Sequence, residues 1–165
     1  MTHELKRIVK AFELSKGKRI KCVLATVVHV DGSSYRKPGV QMLITENGQM
    51  TGAVSGGCVE KEVNRQAQEV FIKGIPKIMT YDGRYRLGCE GILYILIEPF
   101  MPDENWLREF WDAISKRTSL VFRSYYRLEE GVDKAFGSTL SFSSGTRELR
   151  SGFRVSSTLE TFEYS

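Results

Sequence analysis

Residues 20–30 form a near-continuous, largely β-branched run, Ile20-Lys21-Cys22-Val23-Leu24-Ala25-Thr26-Val27-Val28-His29-Val30. A strand without a polar face has to be covered on both sides, which places this segment at the centre of a sheet with other elements above and below it. Ile92-Leu93-Tyr94-Ile95-Leu96-Ile97 repeats the pattern and reads as a second buried strand. The expected fold class is α/β: a mixed β-sheet flanked by helices, with a C-terminal helix and a β-rich extension.

The covering elements are legible. Leu5, Ile8, Val9 and Phe12 share one stripe over residues 3–16, so a helix is expected there, ended by Gly17. Residues 41–45 and 49–54 read as a hairpin around Glu46-Asn47-Gly48, because Asn-Gly is a strong turn signal. A helix is expected over residues 58–73, with Val59, Val63, Ala67, Val70 and Phe71 on one face and Gly74 and Pro76 stopping it. Gly57 is placed as its N-cap, with Glu60 at the third helical position as half of a capping box. Residues 77–81 read as a short strand. Pro99 and Pro102 mark a boundary, giving residues 1–100 as one unit and residues 101–165 as an extension. The extension reads as a helix over residues 104–117, then a β-meander over residues 119–128, 138–143 and 153–162, with a turn at Ser143-Ser144-Gly145-Thr146.

Composition narrows the chemistry. The chain has 165 residues, enough for a core without disulfides, and three cysteines, an odd count at wide spacing that argues against a disulfide framework. No Cys-x-x-Cys pair or Cys/His cluster suggests a zinc site. The formal charge is +4, and the basic excess belongs to residues 1–100, which mildly favours an anionic ligand. The N-terminus lacks the apolar core of a signal peptide, so a cytoplasmic setting with reduced thiols is expected.

Chemistry concentrates in three glycine-rich segments. Ser55-Gly56-Gly57-Cys58-Val59-Glu60 joins a strand-like run to a helix-like run, with Cys58 at the first helical position. There the thiol sits beside unpaired backbone N–H groups at the positive end of a helix dipole, a placement that favours a thiolate. The alternative is a small hydrophobe packed after a tight turn. Gly88-Cys89-Glu90-Gly91 holds a second glycine-flanked thiol, either open to close approach by a ligand or marking a bulge. The loop Asp31-Gly32-Ser33-Ser34-Tyr35-Arg36-Lys37-Pro38-Gly39 follows the central strand, and the hydroxyls of Ser33 and Ser34 with the Arg36 guanidinium suit a phosphate or carboxylate, or simply a solvated turn. Cys22 and His29 lie in the central strand and read as packing residues. The Ser55–Cys58 turn is neither a Walker A loop nor a dinucleotide fingerprint, and no RNA-type interleaving of aromatic and basic residues occurs.

These segments, in this order, resemble the XdhC/CoxI family of accessory proteins for xanthine dehydrogenase and related molybdenum hydroxylases. The matching residues are Ala25-Thr26-Val27-Val28, then residues 32–39, Met42-Leu43-Ile44, Gly52, residues 55–60, Tyr81-Asp82, residues 88–91 and Ile97-Glu98-Pro99. The resemblance implies a protein that binds the molybdenum cofactor as cargo and delivers it, with sulfuration, to a xanthine dehydrogenase-type enzyme. It also implies contact with a cysteine desulfurase. No nucleic-acid or membrane partner is expected, and a homodimer stays open. The cofactor-binding set is then Cys58, Cys89, Ser55, Gly56, Gly57, Ser33, Ser34 and Arg36, with Cys58 the residue able to face the metal.

Two positions depart from the family pattern. Glu90 stands where family members commonly carry Gly and opposes a thiolate on Cys89, and Tyr35 stands where they commonly carry Pro. Full-length members continue into a Rossmann-like domain, which is expected beyond Ser165. Two rival readings use the same residues: a thiol-dependent transferase or redox protein with Cys58 as nucleophile, and a structural interaction module whose cysteines only pack.

Overall fold

The computed structural model describes residues 2–32, 37–52, 57–83, 91–150, 153, 155 and 159–164. In chain order these form α1 (Thr2–Gly17), β1 (Cys22–Asp31), β2 (Gln41–Thr45), β3 (Met50–Thr51), α2 (Cys58–Lys73), β4 (Lys77–Asp82), β5 (Ile92–Pro99), α3 (Glu104–Ser115), β6 (Val121–Tyr126), β7 (Gly131–Val132), β8 (Gly137–Phe142), β9 (Gly145–Glu148) and β10 (Glu160–Tyr164). Among the described residues one sheet runs β3-β2-β1-β5-β4-β7 and a second runs β10-β6-β8-β9.

The expected α/β class is observed, with the two apolar runs as the neighbouring central strands β1 and β5. The sheets are narrower in type than the mixed sheet read from the sequence: every described pairing is antiparallel. Two-residue periodicity sorts the large sheet's side chains onto two faces. Val23, Ala25 and Val27 of β1, with Met79, Leu93, Ile95 and Ile97, pack against Val59, Val63, Ala67 and Val70 of α2. On the other face Leu24 and Leu43 meet Leu5, Ile8 and Phe12 of α1 and Trp106 and Phe110 of α3. The second sheet closes that face through Phe122, Tyr126, Phe136 and Leu140. Residues on both sides of position 100 therefore share one core.

Helix ends follow local chemistry. Gly74 caps α2 in the left-handed conformation, its N–H donating to the Val70 carbonyl at 2.8 Å. Asp103 caps α3, its carboxylate accepting from the Trp106 N–H at 2.8 Å. β1 carries a register shift between Val27 and His29, and the Tyr126 hydroxyl donates to the Val28 carbonyl there at 3.3 Å, tying the two sheets together.

The extension departs from the sequence reading in detail. Among the described residues the last strand is β10, which runs two positions past the expected end at residue 162. β7 and β9 went unread because every residue in them is exposed, which removes the apolar alternation that marks a strand. Ser143-Ser144 forms the two-residue turn between β8 and β9, and Gly145 already pairs with Phe142. Helix α3 stops at Ser115, two positions before the expected end.

Candidate functional site

The register of the large sheet decides where the three glycine-rich segments meet. Asp31, the last residue of β1, pairs with Ile92, the first of β5, and Asp82, the last of β4, pairs with the same Ile92. Just beyond, the Gly83 N–H donates to the Gly91 carbonyl at 3.0 Å. The segment after β1 and the segment joining β4 to β5 therefore leave the sheet at one end. Helix α2 reaches the same end. Its C-terminus leads through Gly74–Pro76 into Lys77, which pairs with Ile97 at the far end, and sixteen helical residues span about 24 Å. Cys58 thus stands at the end from which the other two segments depart.

Of the proposed cofactor-binding residues, Cys58 and Gly57 are described. Ser33, Ser34, Arg36, Ser55, Gly56 and Cys89 lie outside the described residues. Cys58 is exposed, unbridged and the first residue of α2, as the sequence implied. Gly57 precedes it at φ +62°, a conformation that costs an L side chain roughly 1–2 kcal/mol. Its carbonyl accepts the first intrahelical bond, from the Lys61 N–H at 3.1 Å.

The flanks of the loop after β1 are held firmly. The Val27 N–H donates to the Val40 carbonyl at 2.9 Å and the Gly39 N–H to the Val27 carbonyl at 2.8 Å. A buried Gln41 Nε2 donates to Thr26 Oγ1 at 3.2 Å. Gly52, next to β3, has φ +90°, and a Cβ there would lie 2.6 Å from the Gln41 carbonyl oxygen.

The remaining sequence candidates are placed as packing residues. His29 is half-buried and meets the Tyr94 ring edge-on at 5.5 Å. Cys22 is buried at the opposite end of β1 from the loops, and burial pushes its thiol pKa up. No group of three or more potential metal ligands occurs among the described residues, and none of the described helices is long and apolar enough to cross a membrane. One reactivity result follows from exposure and burial: a small alkylating agent at neutral pH should modify Cys58 roughly a hundredfold faster than Cys22. Mass mapping of the modified peptides over time checks this, and equal rates would contradict the placement of both thiols.

Sequence reasoning gave no role to Glu98, which appeared only as part of the Ile97-Glu98-Pro99 match. Its side chain is fully buried between the two sheets. Ser138 Oγ donates to its Oε2 at 2.6 Å, and Ser124 Oγ lies 2.8 Å from Ser138 Oγ. Burial pushes the Glu98 carboxyl up to about 7, against the opposing pull of the Ser138 hydrogen bond and the Arg150 charge. Arg150 donates through Nη2 to the carbonyls of Lys134 and Phe136 and lies 4.8 Å over the Phe153 ring. The available signal was a lone carboxylate ending an apolar strand.

Comparison with known proteins adds to this geometry. Residues 16–82 match the model of the XdhC and CoxI family. A probable xanthine dehydrogenase subunit from Bacillus subtilis (strain 168) is 36% identical over 86 residues, covering 47% of this chain and 26% of that protein. The molybdenum cofactor insertion chaperone PaoD of Escherichia coli (strain K12) is 36% identical over 77 residues, covering 47% of this chain and 23% of that protein. A crystal structure described as a xanthine dehydrogenase from Bacillus halodurans superposes with a TM-score of 0.67 at 26% identity, covering 94% of this chain and 51% of that one. The chain therefore spans about a quarter of the length of these curated relatives and about half of the solved one.

Proposed function

We propose that this chain, whose residues 16–82 match the XdhC and CoxI family model, is an accessory protein that binds the molybdenum cofactor as cargo and delivers it to a xanthine dehydrogenase-type molybdenum hydroxylase. The reading includes sulfuration of the cargo, with the sulfur drawn from a cysteine desulfurase partner. The observation that carries it is the exposed thiol of Cys58 on the first turn of α2, at the end of the sheet where the other two glycine-rich segments depart.

The chemistry of the cargo suits that end. The cofactor is a pterin with a dithiolene-held molybdenum and a phosphate. A thiol sulfur is the soft donor that the metal and its sulfurs prefer. The first N–H groups of α2 and the guanidinium of Arg36 suit the phosphate. The hydroxyls of Ser33, Ser34 and Ser55, together with Gly56, complete the proposed set. Cys89 joins it from the β4–β5 segment, with Glu90 opposing its ionisation. The names of the two curated relatives, one a xanthine dehydrogenase component and the other a cofactor insertion chaperone, support the same client and cargo.

Cys58→Ser nearly preserves size and removes the soft donor. Cofactor copurifying with the chain, read by pterin fluorescence after oxidation and normalised to protein, should fall about tenfold while the circular dichroism spectrum is unchanged. Equal retention by the variant would remove Cys58 from the site.

A further inference from the structure

The end of the large sheet opposite Cys58 carries a concave surface, a cleft of about 690 Å³ between the C-terminal ends of α1 and α2, the start of β1 and the segment after β5. Its inner wall is apolar: Phe71 is half-buried and reaches the surface, and the buried Phe12, Pro99 and Phe100 also line it. Its rim is basic: Lys16, Arg19, Lys21 and Arg150 all line it. The acidic groups nearby are already engaged, Glu46 by accepting from the Lys21 backbone N–H at 3.0 Å. Glu104 holds Lys16 at 2.8 Å, and the Asp103 carboxylate caps α3. Arg150 is committed through Nη2 to two backbone carbonyls. The side-chain charges of Arg19 and Lys21 have no partner among the described residues, and both residues are exposed.

An apolar-walled cleft of this size with a few convergent polar groups is the usual form of a small-molecule site. Two unpaired cations at its mouth select the sign of the ligand. Ring edges and guanidinium planes favour a flat ring. We propose that this cleft binds a small organic anion with a flat apolar ring, the ring against Phe71 and the apolar lining around it and the anionic group at Arg19 and Lys21. The site is separate from the cofactor end of the molecule and does not depend on Cys58.

The test titrates the full chain with 8-anilinonaphthalene-1-sulfonate, read by fluorescence, and maps the bound state by backbone amide shifts. Saturable one-to-one binding is expected, with shifts concentrated in residues 19–23, 70–74 and 99–103. The double variant Arg19→Glu, Lys21→Glu should bind at least about tenfold more weakly, with the difference shrinking at high salt. Both positions are exposed, so the fold is retained, and Cys58→Ser should bind as the unaltered chain does. Benzoate or phenyl phosphate should displace the probe, the stronger competitor identifying the anionic group, and benzyl alcohol should not. The proposal is overturned by absent or non-saturable binding, by unchanged affinity in the double variant, by shifts centred on the Cys58 end, or by displacement with benzyl alcohol as effective as with benzoate.

Discussion

Glu98→Gln is expected to stabilise the chain by about 2 kcal/mol at pH 8 and to give no gain at pH 5. The folded carboxyl ionises at about 7 against an ordinary 4.5, because burial penalises its charge. Between those values the folded chain holds a proton that the unfolded chain has released. The group's contribution to stability is therefore complete below about pH 4.5 and is lost as pH rises through 7. A difference of this size corresponds to about 3 kcal/mol, and an unpaired amide N–H returns part of that gain, about 1 kcal/mol. Urea denaturation of both chains across pH 5–8 checks it. The wild type should weaken steadily relative to the variant, and parallel profiles would show that Glu98 does not ionise within that range in the folded protein. The position ties the sheets together, since Ser138 of β8 donates to a residue of β5. A chain that loosens there at high pH would release its extension first.

Gly52→Ala is expected to cost about 3 kcal/mol or more. The left-handed backbone at φ +90° contributes roughly 1–2 kcal/mol of strain. The added Cβ would stand 2.6 Å from the Gln41 carbonyl oxygen, a main-chain atom that no rotamer change can move. Relieving that contact adds about 1–3 kcal/mol. Gly48→Ala is the internal control, because Gly48 has φ +88° and open space around its missing Cβ. It should show the strain alone. Equal losses in urea midpoints for the two variants would mean that the close approach at Gln41 is not a constraint. The constraint bears on the site, since Gly52 lies six residues before Cys58 in the chain.

The parts of this fold that read from sequence are those whose signals are local. Asn47-Gly48 marked the β2–β3 hairpin, and Gly57 and Gly74 bracketed α2 at the positions where it begins and ends. The continuous apolar runs placed β1 and β5 at the sheet centre. Exposed strands such as β9 carry no such signal, because a hydrogen-bonded edge without a buried face imposes no pattern on side chains. Cys58 was legible for the same reason as α2, since its position depends on a glycine turn and a helix start adjacent in sequence. Glu98 was not, because its partners at positions 138 and 150 come from the second sheet and the segment after it. The cleft at the far end was equally invisible: Phe12, Lys21, Phe71 and Arg150 meet only once both layers are packed.

The central claim is that the Cys58 end of this domain holds the molybdenum cofactor. The most direct measurement is an anaerobic titration of the purified chain with isolated cofactor, followed by pterin fluorescence, before and after alkylation of Cys58. Saturation is expected at about one cofactor per chain, with no displacement by benzoate or phenyl phosphate and with loss of binding once Cys58 is capped. Saturable binding that survives the capping, or no saturable binding by the unmodified chain, would contradict it.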